Sequence, residues 1–489
     1  MKPDWNTSPR EVWERWQLAK LRDYLARRVL PFSKHYHGTF DARDIRSWDD
    51  WRRVPLTSKR DLTTPRDFVL VPDAAKLRRE PAMIFNALLH GKKAAQEHAE
   101  HEFRPILLTS TTGRSADPVP FLFTKHDLAN LDLTGTRLML AGASQRDWRH
   151  INLFPYAPHL GFWQAHHAGL GFGTFMLSTG GGKTLGTEGN IKLIDKIQPD
   201  VLIGMPTFIY HVLREAHETG KRWTTLKRLV LGGEKVADGL RARLREIAAA
   251  LGSPDVHVMA TYGFTEAKMA FPECVGESHE SFGYHLSPDL GLIELIDPKT
   301  GHIVPDGHPG EIVFTPLDSR GTVVLRYRTG DIAEGGLHWE KCPNCGRTCP
   351  RLVGPISRVS EVKELHMDKL KGTLVNFNVL EHLLDDQRGI AAWQIELRKR
   401  HDDPLETDEV HLHLAAESGV SEPDLELAVT RRFHEATEIT PNALHFHTLP
   451  DMRDLLGIGR LLKEEKIADR RPKDVAQTPS TACMPHAGA

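Results

Sequence analysis

The sequence has no apolar run near the ~20 residues needed to cross a bilayer, which argues against a spanning protein. It also lacks a charge imbalance. Lys and Arg total 63 against 65 Asp and Glu, a formal net charge of -2, so no global field draws it to nucleic acid or anionic lipid. Internal repeats and low-complexity tracts are missing. The segment Met1–Arg10 is polar and has no apolar core of a secretory signal, so the expectation is a cytoplasmic protein. Cysteine is scarce, five in all, yet Cys342, Cys345 and Cys349 fall together. In an intracellular chain such clustering points to metal rather than disulfides.

What is present is ordinary globular composition, 40% apolar and 26% charged over 489 residues, enough for two or three domains. Ser8 is expected to cap a first helix with Pro9 at its first position. Leu18, Leu21, Leu25 and Val29 line one face, and Pro31 ends it. From Ile106 to Tyr327 short apolar runs alternate with helical stretches. Val201–Met205, Leu229–Leu231 and Val256–Ala260 read as buried strands, and Ile191–Ile197 and Gly239–Leu251 as crossover helices. Leu292–Ile296, Glu311–Phe314 and Val323–Tyr327 read as strands of a β-rich subdomain.

The fold class is therefore α/β, with a large N-terminal domain over 1–358 and a small α+β domain over 359–471. In the small domain Val375–Leu384 and Pro423–Ala436 read as helices, and Gln394–Arg398, Val410–Leu414 and Ala443–Leu449 as strands. Residues 472–489 are expected to be disordered.

Ligands of parallel α/β sheets sit at the carboxyl ends of strands. Those ends here read Gly232-Gly233-Glu234 and Tyr262-Gly263-Phe264-Thr265-Glu266. Upstream, Ser110-Thr111-Thr112-Gly113-Arg114 offers hydroxyls and backbone N–H groups to anionic oxygens. Alone, such a stretch is usually just a loop. Its order with the two strand ends, then Arg326-Tyr327-Arg328-Thr329-Gly330-Asp331, Arg358 and Lys463, is specific.

That ordered set resembles the adenylate-forming superfamily of acyl-CoA ligases, and within it the phenylacetate–CoA ligase branch. Pro55-Leu56-Thr57-Ser58-Lys59-Arg60-Asp61-Leu62 is similar to that branch's N-terminal signature. The resemblance implies ATP-dependent activation of a carboxylic acid, aryl or arylalkyl, to an acyl-AMP, followed by transfer to coenzyme A. Ser110, Thr111, Thr112, Gly113 and Arg114 would hold the β- and γ-phosphates. Gly232, Gly233 and Glu234 would form the turn against adenine, with Tyr262 and Gly263 beside it. Thr265 would hold a phosphate oxygen and Glu266 a Mg²⁺ ion, since a hard cation prefers carboxylate oxygen. Asp331 would take the ribose hydroxyls and Arg358 the ribose or phosphate. Lys463 would bridge the acid and the α-phosphate, with Lys466 a competitor for that role. Taken singly, Asp331 would read as a turn residue and Glu266 as a surface charge.

Two departures stand out. Ser110 and Arg114 replace a glycine and a lysine of the usual phosphate loop, and Arg keeps charge without the same geometry. After Arg358 the hinge reads Ser360-Glu361, and the stretch before Lys371-Gly372 is longer than usual. These departures motivate an alternative in which an amine or hydroxyl replaces coenzyme A as acceptor.

Cys342-Pro-Asn-Cys345 has the two-residue gap of a zinc knuckle. The resemblance extends it to a structural Zn²⁺ held by Cys274, Cys342, Cys345 and Cys349, with His279 or His285 able to replace one of them. Family analogy places the acid among Tyr156, His159, Phe162 and His166, in a segment whose aromatic walls suit a flat apolar acid. The implied partners are a small carboxylic acid and coenzyme A or another small acceptor, with no nucleic acid or membrane. A homodimer is compatible with the sequence. A nucleic-acid binder built around the knuckle is disfavoured by the near-neutral charge.

Overall fold

The computed structural model describes residues 2–77, 81–111, 118–358, 367–370, 373–402, 408–437, 439–458 and 464–471. The chain divides into two compact units at about residue 363.

The first unit opens with the helix Arg10–Tyr24, which buries Trp13, Leu21 and Tyr24. Pro9, at φ -75 and ψ 164, is the residue before the first turn rather than within it. Ser8 instead accepts from the Asp4 N–H through its hydroxyl, so it is not the cap. Nor does Pro31 end the helix, which runs on through a π segment Leu25–Val29 to Phe32. Proline's ring clashes with the carbonyl four residues back, and the wider π turn makes room for it there.

Strands β1 (Pro105–Ser110) and β2 (Pro120–Thr124) form an antiparallel pair. The main sheet holds β3 (Arg149–Asn152), β4 (Phe175–Ser178), β5 (Val201–Gly204), β6 (Arg228–Gly232), β7 (His257–Phe264) and β8 (Met269–Pro272). Its order is β4-β3-β5-β6-β7-β8, parallel except for β8. Ile151, Leu202, Leu229, Leu231 and Val258 point into one apolar cluster with the crossover helices Gly182–Ile197, Pro206–Glu218 and Asp238–Ala250. β4 and β5 flank β3 on opposite sides, so the strand order reverses there. A crevice at such a reversal is where open α/β sheets bind ligands.

The strand β9 (Tyr284–His285) pairs with a later strand, while β10 (Gly291–Ile296), β11 (Gly310–Pro316) and β12 (Tyr327–Ala333) form an antiparallel sheet. β13 (Leu337–His338) and β14 (Arg351–Leu352) join β9, and β15 (Ile356–Arg358) adds to β12. Val323–Leu325, expected within a strand, is a buried irregular segment, and β12 starts only at Tyr327. Arg326 turns the chain at φ +44, its buried guanidinium bonded to Glu294 and to the Val54 carbonyl. The apolar run there signals burial, not a ladder. Thr57, from the N-terminal signature, donates to the Arg326 carbonyl at 3.0 Å and accepts from Arg328 N–H at 2.8 Å. That segment thus anchors the strand carrying Asp331.

The second unit has β16 (Met367–Leu370) and β17 (Thr373–Asn376) as a hairpin, then the helix Phe377–Asp385. Val375 and Asn376 therefore belong to a strand instead of the expected helix. β18 (Ile390–Lys399), β19 (Asp408–Ala416), β20 (Ala443–Phe446) and β21 (Ile467–Asp469) form a sheet in the order β20-β19-β18-β21. β20 stops at Phe446 because Thr448 caps the next helix, accepting from Asp451 N–H. Ile395, Leu397, Leu412 and Leu414 pack on one face against Leu425, Val429 and Phe433 of the helix Glu422–Thr437.

Candidate active site

The loops after β3, β6 and β7 meet at the carboxyl end of the main sheet. A Cβ on Gly232 would lie 2.5 Å from Thr261 Oγ1 and 3.3 Å from the Phe154 ring, so no side chain fits between these loops. Gly233 follows at φ +84, a left-handed conformation that glycine adopts without steric cost. Glu234 then accepts from Thr207 N–H and from its hydroxyl, the latter at 2.9 Å, which ties the turn to the start of the helix Pro206–Glu218.

Tyr262 lies on β7 and its hydroxyl donates to Asp331 Oδ2 of β12 at 2.8 Å. Arg358 of β15 is opposite Asp331, with Nε 2.9 Å from Oδ1. Burial and the neighbouring Asp331 carboxylate push the Tyr262 phenol well up, so it stays a donor. Glu266, just past β7, accepts from the Tyr327 hydroxyl at 2.7 Å. Burial raises its pKa, and the Asp331 charge adds to this against Tyr327 and Arg358. Glu266 and Asp331, far apart in sequence, therefore share one electrostatic environment under Arg358. A half-buried carboxyl whose ionised form is disfavoured suits a cation such as Mg²⁺.

Thr265 donates through its hydroxyl to the Ser110 carbonyl at 3.4 Å, and Ser110 donates from its N–H and hydroxyl to the Pro158 carbonyl. Thr111 pairs with Val119, its hydroxyl accepting at 3.0 Å. Ser110 and Thr111 thus lie beside the Thr265 turn, whereas Thr112, Gly113, Arg114 and Lys463 lie outside the described residues. Gly263 is exposed, and its alpha carbon is so close to Ala270 that a Cβ would approach to 2.9 Å.

The loop after β3 and the helix Leu160–Phe172 build an aromatic cluster. Tyr156 is exposed, with its ring centroid 5.2 Å from Phe162. His166 lies parallel to Phe162 at 6.2 Å, and His159 meets the Phe154 ring edge-on at 6.2 Å. Burial lowers the His166 pKa, so this imidazole is neutral near pH 7. His167 is taken up by Asp132, at 2.7 Å. Phe154 touches both this cluster and the Gly232 turn, so it joins the aromatic wall to the nucleotide side.

Phe154 and Tyr327 stand in segments the sequence singled out, but without a role of their own. Lys268 went unremarked. It is buried at φ +58, and its ammonium is 3.1 Å from Asp127. Asp127 also accepts from the N–H groups of Thr124, Arg320 and Gly321, so the Thr265–Ala267 turn is pinned from below. A lysine two residues past Glu266 carries no periodic signal, and only the tertiary pairing distinguishes it.

The family described as AMP-binding enzyme matches residues 133–316. A phenylacetate–coenzyme A ligase of Thermus thermophilus is 30% identical over 364 residues, spanning 73% of this chain and 72% of that protein. The chain belongs to the phenylacetate–CoA ligase family. A member from Aromatoleum evansii is 26% identical over 474 residues, 94% of each chain. Among solved structures, a 2-hydroxyisobutyryl-CoA ligase in its postadenylation state superposes with a TM-score of 0.72 at 17% identity. It covers 95% of this chain and 91% of its own, and shares the fold. No helix among the described residues of this family member is long and apolar enough to cross a membrane.

The cysteine cluster takes a different shape from the expected one. Cys274, His285, Cys342 and Cys345 bring one ligand atom each within 4.8 Å of one another. Cys349 is not among them. Gly346 and Arg347 close the knuckle turn through hydrogen bonds with Cys342, and Thr348 is fastened to Asn6 and Ser8, so Cys349 falls beyond the closed turn. It is fully buried, and burial pushes its thiol up to about 12. His279 stacks at 4.2 Å on His257 instead.

The remaining four fit zinc. Cys274 and Cys342 sulfurs are 3.7 Å apart. Thiolates ~2.3 Å from a tetrahedral ion stand about 3.8 Å from each other. His285 places Nε2 3.2 Å from the Cys345 sulfur and Nδ1 3.3 Å from the Pro272 carbonyl, the outer hydrogen bond that fixes a ligating tautomer. With no open position, such a site serves structure.

Proposed function

We propose that this protein activates a carboxylic acid as its adenylate and transfers the acyl group to coenzyme A. A carboxylate oxygen attacks the α-phosphorus of ATP, the bond to pyrophosphate breaks, and acyl-AMP forms. The thiolate of coenzyme A then attacks the acyl carbon and AMP departs with the bonding pair. Membership of the phenylacetate–CoA ligase family supports this reaction. The observation that carries the site assignment is the meeting of Tyr262, Asp331 and Arg358 beside Glu266, from three separate stretches of sequence.

In this reading Asp331, paired with Arg358, accepts the ribose hydroxyls, and Tyr262 lies along adenine with Gly232, Gly233 and Glu234 behind it. Thr265 and the Ser110–Arg114 loop hold phosphate oxygens. Glu266 is the Mg²⁺ ligand, and the ion supplies charge neutralisation across the phosphates. Lys463 is assigned the role of neutralising the acid carboxylate and α-phosphate, since positive charge there stabilises the developing transition state. Lys466 has another task. Its ammonium bonds Asp385 at 2.7 Å and lies 4.5 Å over the Trp393 ring.

The substrate class is an aryl or arylalkyl acid, because Tyr156, Phe162 and His166 present ring faces and edges next to Phe154. Zinc at Cys274, His285, Cys342 and Cys345 completes the cofactor set, and the cytoplasm is the proposed location. Pyrophosphate exchange over a panel of aryl and aliphatic acids, with product masses taken with and without coenzyme A, tests the reading. Exchange with aryl acids and a coenzyme A thioester are expected. Exchange with no acid at all refutes it.

A further inference from the structure

The C-terminal unit carries a second concentration of ligating groups that the acid–CoA ligase reaction does not use. β19 reads Val410-His411-Leu412-His413-Leu414, and β20 with the residue after it reads Ala443-Leu444-His445-Phe446-His447. Alternate residues of a strand share a face. The leucines and Phe446 belong to the core with Leu425, Val429 and Phe433, so the four histidines lie together on the other face. The two strands are parallel and in register, with His413 directly across from His445.

The imidazoles form a continuous zigzag. His411 Nδ1 is 2.9 Å from His445 Nε2, and His413 Nδ1 is 2.9 Å from His447 Nε2. Ring centroids of His413 and His445 are 4.9 Å apart, those of His413 and His447 5.1 Å, and those of His445 and His447 6.5 Å. Three imidazoles bound tetrahedrally at ~2.0–2.1 Å place their centroids about 5 Å apart, so the two pairs that include His413 match and His445 and His447 must draw together. The outer nitrogen of His413 is 3.1 Å from Glu396, and that of His411 is 3.2 Å from Glu409. A carboxylate on the outer nitrogen fixes the tautomer that leaves the inner nitrogen with a lone pair, as around metal-bound histidines. Arg470 in turn neutralises Glu396, and Arg398 and Arg400 flank Glu409.

We propose that His413, His445 and His447 form a divalent transition-metal site of the zinc class, with water completing the shell and Glu396 as the outer partner. In the metal-free array a proton is shared between His413 and His447. A bound ion takes the place of that proton, and the rings turn about their side-chain bonds to converge on it. The ion ties β20, an edge strand, to β19. His445 and His447 are only half-buried, so the ion has access from solvent.

Cobalt(II) serves as the probe, added to the full-length chain after metal removal. Cobalt in the cysteine cluster gives thiolate-to-metal absorption in the near ultraviolet. Cobalt on imidazoles alone gives only visible bands. About one equivalent of the second kind is expected in the wild type, and it is lost in the double variant His445→Ala, His447→Ala. His447→Asn alone, past the end of β20, weakens it about tenfold or more, and circular dichroism reports the folding of both variants. A wild type with no imidazole-only equivalent overturns the proposal whatever the variants do. So does an equivalent that persists undiminished in a folded variant.

Discussion

Arg358 and Asp331 are opposite each other on β15 and β12, with the guanidinium Nε 2.9 Å from one carboxylate oxygen. The other oxygen takes the Tyr262 hydroxyl at 2.8 Å. Asp331 is buried, but the Arg358 side chain is 54% exposed. Half of that side chain is in solvent, so in the proposed site Arg358 can turn toward a nucleotide while Asp331 stays in place.

Asp331→Asn keeps the shape and removes the charge. Hydrogen bonds to a charged group contribute ~1.5–3 kcal/mol, so the KM for ATP is expected to rise about 10–100-fold. Arg358→Ala should cost less. Pyrophosphate exchange at varied ATP checks both, and an unchanged KM in Asp331→Asn removes the ribose role.

The pH dependence follows from Glu266. Burial raises its pKa, and the Tyr327 hydroxyl pulls it back down by donating to the ionised form. In the proposed role protons and Mg²⁺ compete for this carboxylate, so at sub-saturating magnesium activity is expected to fall on the acid side as Glu266 protonates. Tyr327→Phe removes the donor, raises the pKa further and moves the acid limb to higher pH. A limb that stays in place, measured as kcat/KM against pH, shows that Tyr327 does not tune Glu266.

Metal content separates the two ligand sets for zinc. His285→Asn and Cys342→Ser are expected to lose about one equivalent relative to the wild type, with the stability it lends, whereas Cys349→Ser keeps the wild-type content. Elemental analysis of purified variants decides, and zinc lost from Cys349→Ser but kept in His285→Asn restores the four-cysteine set.

The two lysines are distinguished by separate readouts. Lys463→Ala should lower pyrophosphate exchange at least about 100-fold while thioester formation from supplied acyl adenylate persists. Lys466→Ala takes the partner from Asp385 and the cation from the Trp393 ring. A lower thermal midpoint follows, by an interaction worth about 1–2 kcal/mol, with exchange per folded molecule near wild type. The reverse pattern exchanges their roles.

The sequence by itself determined the α/β class, the strand ends and the order of the motifs. Periodicity and turn residues are local, and the order of motifs survives without knowing where they meet. For that reason it could name Asp331, Glu266 and Tyr262 together, and the fold brings the three into one environment. Tertiary structure decided what depends on partners distant in the chain. It gathered His285, and not Cys349, with Cys274, Cys342 and Cys345, because the contacts of His285 with Cys345 and of Thr348 with Ser8 are long-range. It set Lys466 on Asp385. It turned the apolar run at Val323 into an irregular buried segment, because Arg326 had to reach Glu294. It also gathered four histidines, spread over two strands, onto one face, which only the parallel register of β19 and β20 brings about.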